Sequence, residues 1–386
     1  MRSTMAPDGA GPSPWEGCMQ QQWFTMENRE KMELAEARSS ALWREEGLPE
    51  LEVVMRRLAT GGAVDRLGQI VTEHLESGGK RIRARLALAA AETLGVARGR
   101  VVGWAAACEL LHNATLIHDD VQDGDRVRRG HPTTWVRHGV PQAINAGDLM
   151  LMLPFLAVSD VEEPAGVRAA LLEAVAAHAA ETVRGQSLET ELAQLPGSLR
   201  EAWRRAALGK TGALMALPVR GAALMAGLSA EESAALGGLF ARLGVVFQLQ
   251  DDVLDLYGDK GRGEVGCDLQ EGKFSALVVA HLDRAPGDET WLRGVLAADR
   301  GAVSAAEVSE VARRFREAGT LDDVLGEIRR ETVEVLGDPR MEAHPGLRRL
   351  ARDLVVMSCA PIASLLGPWL RESGEGVRDI TLVALV

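Results

Sequence analysis

The 386-residue sequence contains few aromatic residues, since Phe, Trp and Tyr together make up 4% of it. Ala, Leu, Gly and Val predominate instead, and this composition favours closely packed helices over a β architecture. Cysteine is also scarce: the chain has four, which are Cys18, Cys108, Cys267 and Cys359. Because none of them forms a C-x-x-C pair, the sequence argues against a disulfide framework or a zinc site and predicts reduced thiols in the cytoplasm.

Long apolar segments are missing as well. No uninterrupted apolar run reaches the roughly 18 residues needed to span a bilayer, and the nearest candidate, residues 213–227, is broken by Pro218 and Arg220. The N-terminal residues lack the apolar core of a secretory signal, and their Pro, Gly and Ser content predicts a disordered extension over residues 1–25. We expect one domain over residues 26–386, in a cytoplasmic protein without a transmembrane segment. The net charge of −12 disfavours nucleic acid as a partner.

The sequence does contain an apolar helical stretch that ends in a dense group of charges. The segment WAAACELLHNATLIHDDVQDGDRVRRG, residues 104–130, carries Asp119, Asp120 and Asp123 near its end. Asp119 and Asp123 lie one helical turn apart, and like charges at that spacing destabilise a helix by roughly 0.2–0.5 kcal/mol. The cluster therefore favours a bound cation, and carboxylates suit Mg²⁺ that is completed by substrate phosphates. A solvated, charged helix end is the simpler interpretation of this motif alone.

A second copy of the motif favours the cation site. FQLQDDVLDLYGD, residues 247–259, repeats the apolar run and places Asp251, Asp252 and Asp255 at the same offsets. Two such clusters can face each other across a pocket and hold metal ions that bridge one polyphosphate. The arginines of the RRG that follows the first cluster are suited to bidentate binding of that phosphate.

Six short motifs follow one another in an order that resembles a known family. They are GGKRIR (78–83), LHNATLIHDDVQD (111–123), RRG (128–130), GQ (185–186), GKT (209–211) and FQLQDDVLD (247–255). Over residues 51–280 the chain resembles the trans-isoprenyl (polyprenyl) diphosphate synthases. The resemblance implies an all-α isoprenoid synthase fold, a large helical bundle around a central cavity, with Mg²⁺ as the cofactor and a homodimer as the assembly.

The resemblance also implies roles for individual side chains. Metal ions would be bound by Asp119, Asp120, Asp123, Asp251, Asp252 and Asp255. Isopentenyl diphosphate would be bound by Lys80, Arg83, His112 and Arg129. The allylic diphosphate would be bound by Arg128, Lys210 and Lys273. Thr211 and Gln248 would present oxygen atoms to the positive charge that develops on the substrate. The catalytic residues would then be Asp119, Asp123, Asp251, Lys210, Thr211 and Gln248.

Two small residues bear on the length of the product. In the family, bulky aromatics at the positions of Ala114 and Thr115 form a floor that stops chain growth early. The small side chains here predict a deeper floor, unless other helices close the cavity and these two positions serve only in packing. His112 has a similar alternative, because a single histidine in a helix is commonly a satisfied core residue.

The sequence departs from the family's pattern at two acidic positions. Glu189 stands where the family usually has aspartate, which is a mild change. Glu264 stands where a diphosphate-binding lysine is common, and Lys260 or Arg262 are the nearby candidates to replace it.

The function that the resemblance implies is head-to-tail prenyl transfer. Isopentenyl diphosphate would condense with dimethylallyl, geranyl or farnesyl diphosphate to give an all-trans product, for which we expect geranylgeranyl diphosphate. A synthase of longer polyprenyl diphosphates is the alternative. A class I terpene cyclase is disfavoured by the second DDxxD cluster and by GGKRIR, and a non-catalytic regulatory subunit is disfavoured because all six aspartates are present.

Overall fold

The computed structural model describes residues 42, 44–61, 65–258, 265–299 and 302–367. Several sequence-based expectations lie outside these residues: the N-terminal extension over residues 1–25, the two ends of the domain expected over residues 26–386, and the contacts of Glu264 and its neighbours Lys260 and Arg262.

Helices form nearly all of the described structure, so the expected all-α fold is confirmed. They are α1 (Leu48–Thr60), α2 (Arg66–Glu76), α3 (Ile82–Thr93), α4 (Arg98–Gln122), α5 (Thr134–His138), α6 (Val140–Ser159), α7 (Ala165–Glu191), α8 (Leu199–Ala207), α9 (Ala213–Met225), α10 (Ala230–Tyr257), α11 (Cys267–Gln270), α12 (Ala276–Arg284), α13 (Glu289–Leu296), α14 (Ala305–Glu317), α15 (Thr320–Leu336), α16 (Pro339–Ala343), α17 (Pro345–Cys359) and α18 (Ala363–Leu366). Two short strands, β1 (Val127–Arg128) and β2 (His131–Pro132), form an antiparallel hairpin.

Helix α4 lies at the centre of the hydrophobic core. It packs along α6 and α3, and its apolar residues are buried on nearly every side, as its sequence indicates. Trp104 is fully buried, and its Nε1 donates to the carbonyl oxygen of Pro218 in α9 at 3.1 Å. A Cβ on Gly221 would lie 2.0 Å from the Trp104 ring, so glycine is what allows α9 to approach α4 this closely.

The segment after the first aspartate cluster is more ordered than the sequence suggested. The sequence of residues 131–142, with Pro132 and Pro141, indicates a loop, yet these residues contain β2, helix α5 and the start of α6. Thr133 Oγ1 and Trp135 Nε1 both donate to the carbonyl oxygen of Asp125, at 2.8 Å and 2.7 Å. These bonds hold α5 against the end of α4, and they fix the hairpin that carries Arg128.

The GKT motif forms a single π-helical turn between α8 and α9, from Leu208 to Gly212. This turn crosses α7 at very close range. A Cβ on Gly185 would lie 2.2 Å from the backbone nitrogen of Lys210, and a Cβ on Gly209 would lie 2.8 Å from the carbonyl oxygen of Glu181. The glycines of the GQ and GKT motifs therefore allow the crossing that places Lys210 at the end of α4.

Helix α6 is long and apolar enough, by length and composition, to cross a membrane, and within the described residues it is the one helix of that kind. The sequence-based choice of residues 213–227 as the nearest candidate for a membrane span is therefore wrong. Less than half of the most apolar part of α6 is buried, where the helix packs on α4 and its neighbours. The core helix of a large protein also has this composition, so α6 is weak support for a membrane span.

Candidate active site

The first aspartate cluster occupies the end of α4. Asp119 and Asp120 lie in the last helical turn, and Asp123 is the residue at which the helix ends. Asp120 is 1% exposed and accepts a hydrogen bond from Arg128 Nε. Burial raises the pKa of Asp120 to about 6, although the charge of Arg128 acts to lower it. Burial also raises the pKa of Asp119, although the charge of Lys210 acts to lower it. Both carboxylates are therefore poorly compensated by the protein and would gain from a bound cation.

The second cluster lies in the last two turns of α10. Asp252 and Asp255 are buried there, and Asp251 is partly exposed. Asp252 Oδ2 accepts from the backbone N–H of Ala276 at 2.6 Å, and Asp255 Oδ2 accepts from the backbone N–H of Asp268 at 3.0 Å. The chain that follows α10 therefore returns across the second cluster and is held there by its carboxylates.

Lys273 connects this returning segment to the first cluster. Its Nζ lies 2.9 Å from Asp123 Oδ2 and 2.7 Å from Glu271 Oε2. Burial alone would lower the pKa of Lys273, but Asp123 and its acidic neighbours outweigh burial and the pKa is raised. The lysine is thus a firmly charged cation between the two clusters.

Two adjacent residues of the π-helical turn make a second connection. Lys210 Nζ lies 4.0 Å from Asp119 Oδ2 and 2.6 Å from Glu189 Oε2. Thr211 Oγ1 donates to Gln248 Oε1 at 3.1 Å, and Gln248 Nε2 donates to Asp252 Oδ1 at 2.9 Å. One residue therefore reaches the first cluster while its neighbour reaches the second. The π-helical turn thus links the two clusters, through Lys210 to Asp119 and through Thr211 and Gln248 to Asp252.

The donor set of this site suits Mg²⁺. Within the described residues, no three His, Cys, Asp or Glu side chains converge closely enough to hold a metal ion by themselves. Mg²⁺ does not need such a set, because it is usually bound by one or two carboxylates, with water and substrate phosphate completing its shell. Burial of Asp119 and Asp120, together with lysine ammonium groups beside Asp119 and Asp123, shows that these carboxylates attract cations.

A group of basic side chains lies beside the first cluster. Arg83 is in the first turn of α3, the exposed Lys80 precedes that helix, and His112 is on α4. Arg129 has a left-handed backbone, and its guanidinium lies against the Gly78–Gly79 turn and donates to the carbonyl oxygen of Gly78. Arg83 Nε and His112 Nδ1 are buried without a hydrogen-bond partner in the protein. Burial, and secondly the positive charge of Arg83, hold the pKa of His112 well below its usual value, so the imidazole is neutral.

A cavity of about 350 Å³ extends from Asp119 and Lys210 between α4, α6 and α7. Its apolar and small lining residues include Thr115, Leu151, Thr182 and Val183. Ala114 is fully buried and is not part of this lining. Thr115 therefore lies on the cavity wall, whereas Ala114 fits the packing alternative, because a one-residue step on a helix turns the side chain by about 100°.

Sequence reasoning missed one buried carboxylate beside the basic group. Glu109 on α4 is 2% exposed and contacts both the start of α3 and Arg81. The only signal in the sequence is a single acidic residue within the apolar run AAACELL, which by itself points to no partner. The backbone N–H of Ala84, which donates to Glu109, lies 25 residues earlier in the chain, and only the packing of α3 on α4 brings the two residues together.

The all-α bundle, with an aspartate cluster at the end of each of two helices, resembles solved structures of isoprenyl diphosphate synthases. A crystal structure of geranylgeranyl pyrophosphate synthetase from Pyrococcus horikoshii superposes with a TM-score of 0.67 at 28% identity, over 80% of this chain and 99% of that one.

The sequence relatives lead to the same class. The polyprenyl synthetase family model matches residues 64–313. A short chain isoprenyl diphosphate synthase from Methanothermobacter thermautotrophicus is 36% identical over 69% of this chain and 83% of its own length. A geranylgeranyl diphosphate synthase from Methanosarcina mazei is 33% identical over 65% of this chain and 76% of its own length. The chain belongs to the polyprenyl synthetase family, and the predicted class of enzyme, a prenyltransferase, is confirmed.

Proposed function

We propose that the protein is a Mg²⁺-dependent synthase that condenses isopentenyl diphosphate with an allylic diphosphate and releases geranylgeranyl diphosphate. The observation that supports the proposal is the pair of aspartate clusters that Lys210, Thr211 and Lys273 connect to each other. A polyphosphate between them would meet carboxylates on two sides and ammonium groups from two further segments. The apolar cavity beside Asp119 suits the hydrocarbon chain of the same substrate.

The allylic diphosphate would be held by the metal-binding aspartates and by Arg128, Lys210 and Lys273. Bound Mg²⁺ would supply electrostatic stabilisation of the charge that builds on the leaving diphosphate. The lysine ammonium groups add fixed positive charge at the same place, and such preorganised charge is worth several kcal/mol in the transition state. On binding, the lysines would exchange their present carboxylate partners for phosphate oxygens.

Breaking the C–O bond leaves a carbocation that water must not reach. The Thr211 hydroxyl and the Gln248 amide, already hydrogen-bonded to each other, would direct oxygen atoms towards it. The second substrate would be held by Lys80, Arg83, His112 and Arg129, which lie together beside the first cluster. Its double bond would attack the cation, and a proton would leave to the released diphosphate, so that no strongly basic side chain is needed.

The open wall near Thr115 supports a product longer than farnesyl diphosphate. Thr115, Thr182 and Val183 have small side chains, so no bulky ring at these three positions limits the length of the cavity. A homodimer is supported by two pairs of exposed apolar residues along one side of α6, Val140 with Ile144 and Met152 with Leu156, between which Asp148 lies. We propose that the enzyme acts in the cytoplasm in this form.

The test is product formation by the purified chain. We expect isopentenyl diphosphate and farnesyl diphosphate to give geranylgeranyl diphosphate with Mg²⁺, no product with EDTA, and recovery when Mg²⁺ is restored. Asp119→Ala and Asp251→Ala are each expected to reduce turnover by roughly 100-fold or more. Asp160→Ala is the matched control, since Asp160 forms an exposed ion pair with Arg57 away from the site.

Near-normal turnover in both cluster variants would count against the proposed site. Products longer than geranylgeranyl diphosphate would leave the prenyl transfer intact and would overturn the proposed chain length.

A further inference from the structure

The basic group beside the first cluster is built on a turn with unfavourable backbone geometry. Within the described residues, the non-glycine residues with positive φ are Arg81 (52°) and Arg129 (54°). A left-handed backbone is unfavourable for a residue with a side chain, because the Cβ comes too close to the following carbonyl oxygen. It persists only when the surrounding structure holds it in place. Arg81 separates Lys80 from the helix that carries Arg83, so whatever holds Arg81 also orients both of these cations.

Two hydrogen-bond acceptors and one further carboxylate surround the guanidinium of Arg81. Its Nε donates to Glu52 Oε1 at 2.7 Å, and its Nη2 donates to the carbonyl oxygen of Leu75 at 2.6 Å. Its Nη1 is buried without a hydrogen bond and lies 3.9 Å from Glu109 Oε1. The charge of Glu109 is therefore what faces this third nitrogen.

Glu109 also holds the start of α3. Arg81 is the N-cap residue of that helix and makes no side-chain cap. Glu109 Oε2 instead accepts from the backbone N–H of Ala84 in the first turn, at 3.2 Å. From the neighbouring helix, the carboxylate thus stabilises the N-terminal end of α3, whose first N–H groups have no partner within the helix and where negative charge is favourable. One side chain of α4 joins the turn before α3 and the first turn of α3.

Glu109 cannot reach the reacting atoms themselves. It lies ten residues before Asp119 on the same helix, which corresponds to about 15 Å along the axis. It is one turn from Asn113, whose Nδ2 lies 3.3 Å from Glu109 Oε1. Its effect on the reaction must therefore pass through the basic residues that it orients.

We propose that Glu109 is a positioning residue for the isopentenyl diphosphate site: through Arg81 and the first turn of α3 it fixes the directions of Lys80 and Arg83. The inference rests on the proposed function, because it assigns those cations to the second substrate. Glu109 is not expected to affect the allylic diphosphate, which lies between the aspartate clusters and is held by other segments.

The test compares two glutamate-to-glutamine variants by steady-state kinetics and thermal unfolding. Glu109→Gln retains an oxygen for Ala84 but removes the charge that faces Arg81. We expect the KM for isopentenyl diphosphate to rise about tenfold, which corresponds to about 1.4 kcal/mol. The KM for the allylic diphosphate and the kcat at saturation should stay within about twofold of the wild-type values.

Glu163→Gln is the matched control. Glu163 is as deeply buried as Glu109 and pairs with Arg100 at 2.6 Å and 2.7 Å, at the opposite end of α4. We expect it to lower the melting temperature without changing either KM. Equal changes in both variants, or a change in both KM values of Glu109→Gln, would overturn the positioning role.

A third variant decides the question if Glu109→Gln does not fold. Glu52→Gln removes the partly exposed partner of Arg81 and leaves Glu109 in place. A rise of about threefold or more in the KM for isopentenyl diphosphate alone supports the proposal, and an unchanged KM overturns it. A wild-type chain without turnover would overturn the proposed function itself. If the wild type is active and Glu109→Gln has the same KM for isopentenyl diphosphate, only this inference is overturned.

Discussion

The ammonium of Lys273 and the carboxylate of Asp123 lie 2.9 Å apart, although 150 residues separate them in the chain. Lys273 follows the second aspartate cluster, and Asp123 is the last residue of the first. Their contact closes the site from one side, while Lys210 and Thr211 join the same two clusters from another. Such a site offers cations to a diphosphate and carboxylates to the metal ions that accompany it.

Replacement of Lys273 tests this arrangement. We expect Lys273→Met to lower kcat/KM for the allylic diphosphate by about 10–100-fold, because a hydrogen bond to a charged group contributes about 1.5–3 kcal/mol. The measurement is steady-state kinetics with each substrate varied in turn. Lys273→Arg retains the charge and should recover part of the loss. An unchanged kcat/KM in Lys273→Met would remove this lysine from the diphosphate site.

Thr115 is the position at which we expect product length to respond. It lines the cavity beside Asp119, so Thr115→Phe should block the wall and shift the main product from geranylgeranyl to farnesyl diphosphate. Chromatography of the dephosphorylated products measures the shift. Unchanged products in a folded Thr115→Phe variant would place the floor of the cavity on other helices.

Ala114→Phe is the matched comparison for that experiment. Ala114 is fully buried in the core, and adding a ring there overpacks it at a cost of about 1–3 kcal/mol. We therefore expect a lower melting temperature rather than a clean change of product. A stable Ala114→Phe variant with shortened products would reverse the present assignment of these two residues.

The aspartate clusters could be predicted from the sequence because they depend on local spacing. Asp119 and Asp123 follow an apolar run by one helical turn, and Asp251 and Asp255 repeat that pattern, so periodicity alone places each pair at a helix end. The repetition of the motif also predicts that the two helix ends contribute to one site. The contact of Lys273 with Asp123 did not follow, since no local pattern joins residues so far apart.

Close packing set the other limits of prediction. A side chain on Gly221 would clash with the Trp104 ring, and one on Gly185 would clash with the backbone of Lys210. In the sequence, however, both glycines appear only as residues that weaken a helix. Helix α5 was missed because it has five residues between Pro132 and Gly139, which is too short for a helical period to appear.

His74 should make stability depend on pH. The side chain is buried, and burial, with Arg129 and Arg128 adding to it, lowers its pKa to about 3. The unfolded chain has a histidine pKa near 6.5. It therefore takes up a proton between pH 6.5 and 3 that the folded chain does not, and stability is lost as the pH falls through that range.

His74→Gln removes this titration. We expect the wild type to lose more unfolding free energy than the variant between pH 7 and pH 5, in urea titrations at each pH. His131→Gln, which changes an exposed histidine, is the control and should keep the wild-type dependence. Parallel losses in wild type and His74→Gln would show that other groups govern acid stability.

Gly221→Ala should destabilise the core, because the added Cβ would meet the Trp104 ring at 2.0 Å and neither the ring nor α9 can move freely. Overpacking of this kind costs about 1–3 kcal/mol. Gly238→Ala is the matched control: this glycine is exposed in α10 with nothing within 4 Å of the added Cβ. Alanine there should stabilise the helix by roughly 0.5–1 kcal/mol. Thermal unfolding of both variants should therefore give melting temperatures on opposite sides of the wild-type value, and a Gly221→Ala variant as stable as the wild type would contradict the close approach of α4 and α9.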